Sequence, residues 1–127
     1  MKRSIVAVGI LLMGLLVIPL VIPPATAVYH GLWMPPQSHA EDHIYAIDPN
    51  VYVNGSLSAT FDVRVVISDD IGVVYDEYGC NHRWAHLYCY GETITMDVYN
   101  DHLFDSVKIN YEIYADGEDI GLNLVRW

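Results

Sequence analysis

From Leu57 to Ser68 the chain alternates without a break. Leu57, Ala59, Phe61, Val63, Val65 and Ile67 are separated by Ser58, Thr60, Asp62, Arg64, Val66 and Ser68. Only a strand places alternate residues on one face, so this stretch predicts a β-strand with one dry side and one mostly wet side. The same period returns at Ile94, Met96 and Val98, and again at Val107, Ile109, Tyr111 and Ile113. Shorter β-branched and aromatic runs cover Ile44–Ile47, Val51–Val53, Ile71–Tyr78 and Ile120–Trp127. Asp48-Pro49-Asn50, Ser68-Asp69-Asp70 and Asp116-Gly117 read as turns between them. Asn54-Gly55 is the strongest short hairpin signal, because a type I′ turn needs positive φ at both central residues. No helical period is sustained after residue 27. About six or seven short strands at this spacing predict an all-β chain folded as a small antiparallel sandwich over residues 44–127.

Residues 28–43 contain Pro35-Pro36 and three histidines, and predict an irregular arm ahead of the sandwich. Residues 1–27 read as an export signal. Lys2 and Arg3 precede an uncharged run from Ile5 to Ile22, and Ala25 and Ala27 have the spacing a signal peptidase reads. Cleavage before Val28 is the first expectation. The run is also long enough for an uncleaved helical anchor, in which case residues 5–22 would be the membrane attachment. Both readings place the rest of the chain outside the cytoplasm, secreted or at the cell surface.

The formal net charge of −10 supports the same picture. Without Lys2 and Arg3 the balance falls to −12. Such a surface has no basic patch for nucleic acid and none for anionic lipid headgroups. It predicts solubility, with partners among other envelope or surface proteins or further copies of the chain.

Ile94-Thr95-Met96-Asp97-Val98-Tyr99-Asn100, the run Ser106 to Tyr114 and Ala115-Asp116-Gly117-Glu118 resemble the end of a CARDB-type immunoglobulin-like module. Such modules pass from a strand through an Asn-led turn to a strand ending in tyrosine and Asp-Gly. The resemblance covers roughly a quarter of the chain. It implies an immunoglobulin-like sandwich serving as a surface adhesion or spacer module, and it carries over no catalytic residues. The Cys80–Cys89 stretch has no counterpart in that pattern.

Cys80 and Cys89 are the only cysteines. In an exported protein a disulfide is expected, closing the stretch into a loop that presents Arg83, Trp84 and Tyr88 to a partner. Trp84 could equally cap the core. The rival reading is a zinc set of Cys80, His82, His86 and Cys89. A second metal reading uses the arm. After cleavage His30 would be the third residue, the position for a square-planar copper or nickel chelate, and His39 and His43 lie four apart around Glu41 and Asp42. His30, His39, His43, His82 and His86 are therefore the candidate copper or zinc ligands.

Calcium is less expected. Carboxylates gather in turns, at Asp69-Asp70, Asp76-Glu77, Asp101 with Asp105 and Asp116 with Glu118-Asp119, but no EF-hand spacing is present. Asn54-Gly55-Ser56 is an N-glycosylation acceptor. No nucleophile elbow, phosphate loop or HExxH appears, so no enzyme is expected. The leading expectation is a non-catalytic surface structural or interaction module. The alternatives are a copper/zinc binder and an accessory subunit of a membrane complex.

Overall fold

The computed structural model describes residues 28–125. The leader, whether signal peptide or anchor helix, lies outside the described residues, as do Arg126 and Trp127. Among the described residues no helix is long and apolar enough to cross a membrane. The described residues form eight strands: β1 His30–Met34, β2 Ser38–Tyr45, β3 Asn50–Ser68, β4 Val73–Tyr90, β5 Thr93–Asn100, β6 Val107–Ala115, β7 Glu118–Asp119 and β8 Asn123–Val125. Every pairing is antiparallel. The described part of the chain is thus all-β, as its alternation predicts.

The β3–β4 hairpin organises everything else. An 18-residue strand such as β4 would reach about 60 Å if straight. Yet Asp69, before its start, accepts a 2.8 Å hydrogen bond from the amide of Tyr90, its last residue. Asp70 N also donates to Tyr90 O at 3.2 Å. The hairpin is therefore folded back on itself. Its bend is the register break between Ser58 and Val63, where Asn81 pairs with Ser58 and Gly79 with Val63. Extra residues on one strand of a pair bend it and raise its twist.

Each arm of the bent hairpin belongs to a different layer. The first half of β3 pairs with β6, which pairs with β1. The second half pairs with β5, followed by β2 and β8. The layers share one core, nearly barrel-like in its closure. Val51, Val53 and Leu57 from the first arm meet Val63, Val65 and Ile67 from the second, with Ile94, Met96, Val98, Ile109 and Ile113. Burying alternate residues of every strand supplies the stability, at roughly 25 cal/mol per Å² of apolar surface removed from water.

Side chains lock both ends. At the open end Asp69 also accepts bonds from the amides of Ile71 and Gly72. Burial opposes its ionisation, but the amides of Tyr90, Ile71 and Gly72 outweigh it and hold its carboxyl below the usual range. Asp70 accepts bonds from the amides of Glu92 and Thr93. At the other end Asn100 is fully buried. Its Nδ2 donates to the carbonyls of Met34, Pro35 and Asp105, and its Oδ1 accepts from His102 N.

Four expectations require correction. Asn54-Gly55 is not a hairpin tip but the middle of β3, flanked by β4 and β6. Gly55 does take positive φ, at 136°, to pass close to β6 at a register shift rather than to reverse the chain. Residues 28–43 are not an irregular arm. Pro35-Pro36 sits between β1 and β2, and both strands are in the sheet. The Cys80–Cys89 stretch is not a loop but a continuous part of β4.

No disulfide joins the two cysteines. Cys80 lies at the bend and Cys89 pairs with Val51 near the far end of the first arm. Roughly 25–30 Å of strand separates them at ~3.3 Å per residue, against about 7 Å between Cα atoms for a bridge. Cys80 Sγ instead donates to Asp62 Oδ1 at 3.1 Å. That bond and burial raise the Cys80 thiol, and burial pushes Cys89 up to about 11. Two thiols per chain should therefore titrate in denaturant without reductant, and Cys89 should resist alkylation in the folded protein at neutral pH. A raised thiol favours folding below its unfolded value near 9, and this contribution should be lost as pH rises to about 11. Circular dichroism melts across that window check the sign.

Candidate functional site

The outer face of the first layer carries a cluster of half-exposed tyrosines. Asn50 stands opposite Tyr90, and Tyr52 opposite Tyr88. All four point away from the core because Val51, Val53 and Cys89 between them point into it. Tyr52 is 5.5 Å from Tyr88 and 4.8 Å from the His86 ring, centroid to centroid. Tyr88 Oη donates to Asn50 Oδ1 at 2.6 Å. Burial, then the neighbouring Tyr52 and Tyr90, raises the Tyr88 hydroxyl, so it remains a neutral donor. Tyr52, Tyr88 and Tyr90 are each between 42% and 45% exposed, half packed and half presented.

A β-bulge sets which residues of β4 join this face. His86 has φ of 56°, and its amide donates to Asn54 Oδ1 at 2.8 Å. The irregularity shifts the alternation by one, so Arg83 and Tyr88 are both exposed while Trp84 is not. This corrects the expected role of Trp84 as a presented residue. It is 4% exposed and belongs to the core, stacked near His82 and edge-on to Tyr75. Asn54 is half-buried in mid-strand and holds the bulge, rather than standing at an exposed tip as a glycan acceptor would.

The zinc set read from Cys80, His82, His86 and Cys89 does not assemble. His82 is buried, with Nδ1 2.7 Å from Tyr75 Oη and Nε2 3.0 Å from Gly79 O. His82 therefore braces the bend, whereas His86 faces outward and Cys89 inward. His30 is drawn elsewhere too. It stacks on Tyr111, and its Nε2 meets Asp119 Oδ2 at 2.7 Å. The amide of Val28 donates to Asp119 Oδ1 at 2.9 Å. Within β1, His30 stands opposite Tyr111 of β6, and its imidazole is engaged by Asp119.

His39 and His43 share one face of β2 in the second layer, with Glu41 between them. Register sets Glu41 opposite Asp97 and His43 opposite Thr95. His39 Nε2 lies 2.7 Å from Asp97 Oδ1 and 3.7 Å from Glu41 Oε1. His43 Nε2 lies 3.0 Å from Glu41 Oε2. Asp97 escaped sequence reading because only the strand register brings it to β2. The other carboxylate clusters mostly serve the frame: Asp76 holds Arg64 in a two-bond pair, and Asp101 accepts from Tyr78 Oη.

No family model, curated protein or solved structure matches the chain.

Proposed function

We propose that the chain is an exported, non-catalytic interaction module that docks on a protein of the cell envelope through the tyrosine-bearing face of its first layer. The observation that carries this reading is the Tyr52–Tyr88 pair with His86, Tyr90 and Asn50 around it. Tyrosine gives large contact area at low rotamer entropy, and interface hot spots are rich in it. Strand pairing limits how the backbone beneath these side chains can move, so little further ordering is needed on docking. Arg83, exposed on the same strand, adds a charge suited to an acidic or polar rim.

Two sequence features favour the same reading. The leader and the acidic surface suit an extracytoplasmic protein kept soluble by self-repulsion. The immunoglobulin-like arrangement implied by the CARDB resemblance would make the module an adhesion or spacer unit. The partner is an envelope protein or a second copy of the chain.

Retention of the purified mature chain on envelope preparations from its source tests the proposal. A Tyr52→Ser/Tyr88→Ser variant is expected to bind at least about 30-fold more weakly, the equivalent of ~2 kcal/mol for loss of hot-spot residues. Its melting transition should fall only modestly. Equal retention of both proteins would remove the basis for the reading.

A further inference from the structure

We propose that His39, Glu41 and Asp97, completed by His43, form a site for one divalent transition-metal ion of the zinc or copper(II) class on the outer face of the second layer. The donor atoms come from two paired strands. His39, Glu41 and His43 alternate along β2, and Asp97 faces them from β5. His39 Nε2 and one carboxylate oxygen each from Glu41 and Asp97 all lie within 4.8 Å of one another. Ligands about 2.0–2.2 Å from a tetrahedral ion stand roughly 3.4 Å apart. To take an ion, the 2.7 Å contact of His39 Nε2 with Asp97 Oδ1 would open to that spacing and the wider separations would close to it, by side-chain adjustment with the strand register kept.

The surroundings fit a cation better than a simple ion pair. Glu41 and Asp97 are directly opposite across the strand pair, and like charges there are destabilising. The guanidinium of Arg64 stands over Tyr99 but is bonded twice by Asp76. An ion between the two carboxylates would offset their repulsion directly. His39 is also held in place for the task. Its ring stacks on Tyr99 at 4.5 Å and 5°, while Nε2 faces the acids. A fixed ring plane raises the share of imidazole in the ligating orientation.

The donor set selects the class of ion. Imidazole nitrogen with carboxylate oxygen suits zinc, copper(II) and nickel, with copper strongest in the usual order. Calcium needs six to eight oxygens and would find too few here. Glu41 offers its second oxygen to His43, so His43 can serve as fourth ligand or hold Glu41 in position. The His side chain is 15% exposed at His39 and 42% at His43, which leaves the site reachable from solvent.

Calorimetric titration of the untagged mature chain with zinc and with copper(II), with thermal melts in parallel, decides the matter. One ion per chain should bind saturably and raise the melting temperature. Asp97→Asn and His39→Gln should each weaken binding by at least about 100-fold, and His43→Ala by about tenfold. His30→Ala should leave the affinity unchanged, because His30 belongs to the Asp119 cluster in the other layer. Three results would overturn the proposal: no saturable binding, unaltered affinity in the folded Asp97→Asn protein, or loss of binding on His30→Ala, which would place the ion at the amino terminus.

Discussion

Replacing Asn100 by alanine is expected to destabilise the chain by about 3–4 kcal/mol, on the order of 15 °C in the midpoint of a thermal melt. Asn100 is completely buried and is the last residue of β5. Its amide nitrogen serves three carbonyls, from Met34, Pro35 and Asp105, at 2.9–3.2 Å. These carbonyls lie where β1 gives way to β2 and where the loop between β5 and β6 ends. One side chain therefore binds two connections across the closed end of both layers. Alanine leaves the buried Met34 carbonyl and the part-buried Pro35 and Asp105 carbonyls without this donor, and a buried loss of this kind costs about 1–3 kcal/mol before relaxation. Asn100→Asp is nearly as harmful, because it swaps a donor for a charge facing carbonyl oxygens. Urea denaturation of the three proteins gives the comparison, with an unchanged slope marking a loss of stability alone.

Gly55→Ala is expected to cost about 3–5 kcal/mol, from the combined penalties of overpacking and positive φ. A Cβ on Gly55 would overlap the carbonyl oxygen of Glu112 and the Cα of Ile113 on β6. Both obstacles are backbone, so no side chain can swing aside. The residue also sits at φ 136°, where an L side chain is strained whatever the space. The damage should appear between β3 and β6, as faster amide exchange at residues 109–115, before it reaches the second layer. A melt within about 2 °C of the parent would mean that the two strands are not packed this closely.

The sequence reveals the strands better than it reveals their relations. Thr93–Asn100, Val107–Ala115 and the strand character of Leu57–Ser68 were legible because their alternation is unbroken, but that alternation hid the bend after Ser58 that leaves Phe61 exposed rather than on the dry face. β1 and β2 were hidden by Pro35-Pro36, and β2 also by its inward residues Ser38 and Ala40, too small and polar to register as a hydrophobic run. The cysteine stretch misled because compartment argues for pairing while only geometry can refuse it. Gly55 illustrates a further limit: positive φ was expected at both Asn54 and Gly55, but only Gly55 takes it, because a register shift in mid-strand asks it of one residue where a type I′ turn asks it of two. Of the candidate site, Tyr88, Arg83, His39 and His43 could be named in advance. Trp84 could not be told from a presented residue, because the bulge at His86 that re-phases β4 depends on a hydrogen bond its amide donates to Asn54, 32 positions away. Asp97 needed the β2–β5 register, which no local pattern encodes.

Photo-crosslinking in intact source cells tests the docking face most directly. Benzoylphenylalanine placed at Tyr88, on the outer face of the first layer, should capture a specific envelope protein or a second copy of the chain. The same probe at Tyr45, which is 72% exposed in β2 of the second layer, should not capture it. No adduct from position 88, or the same adducts from both positions, would contradict the assignment of this face as the interaction surface.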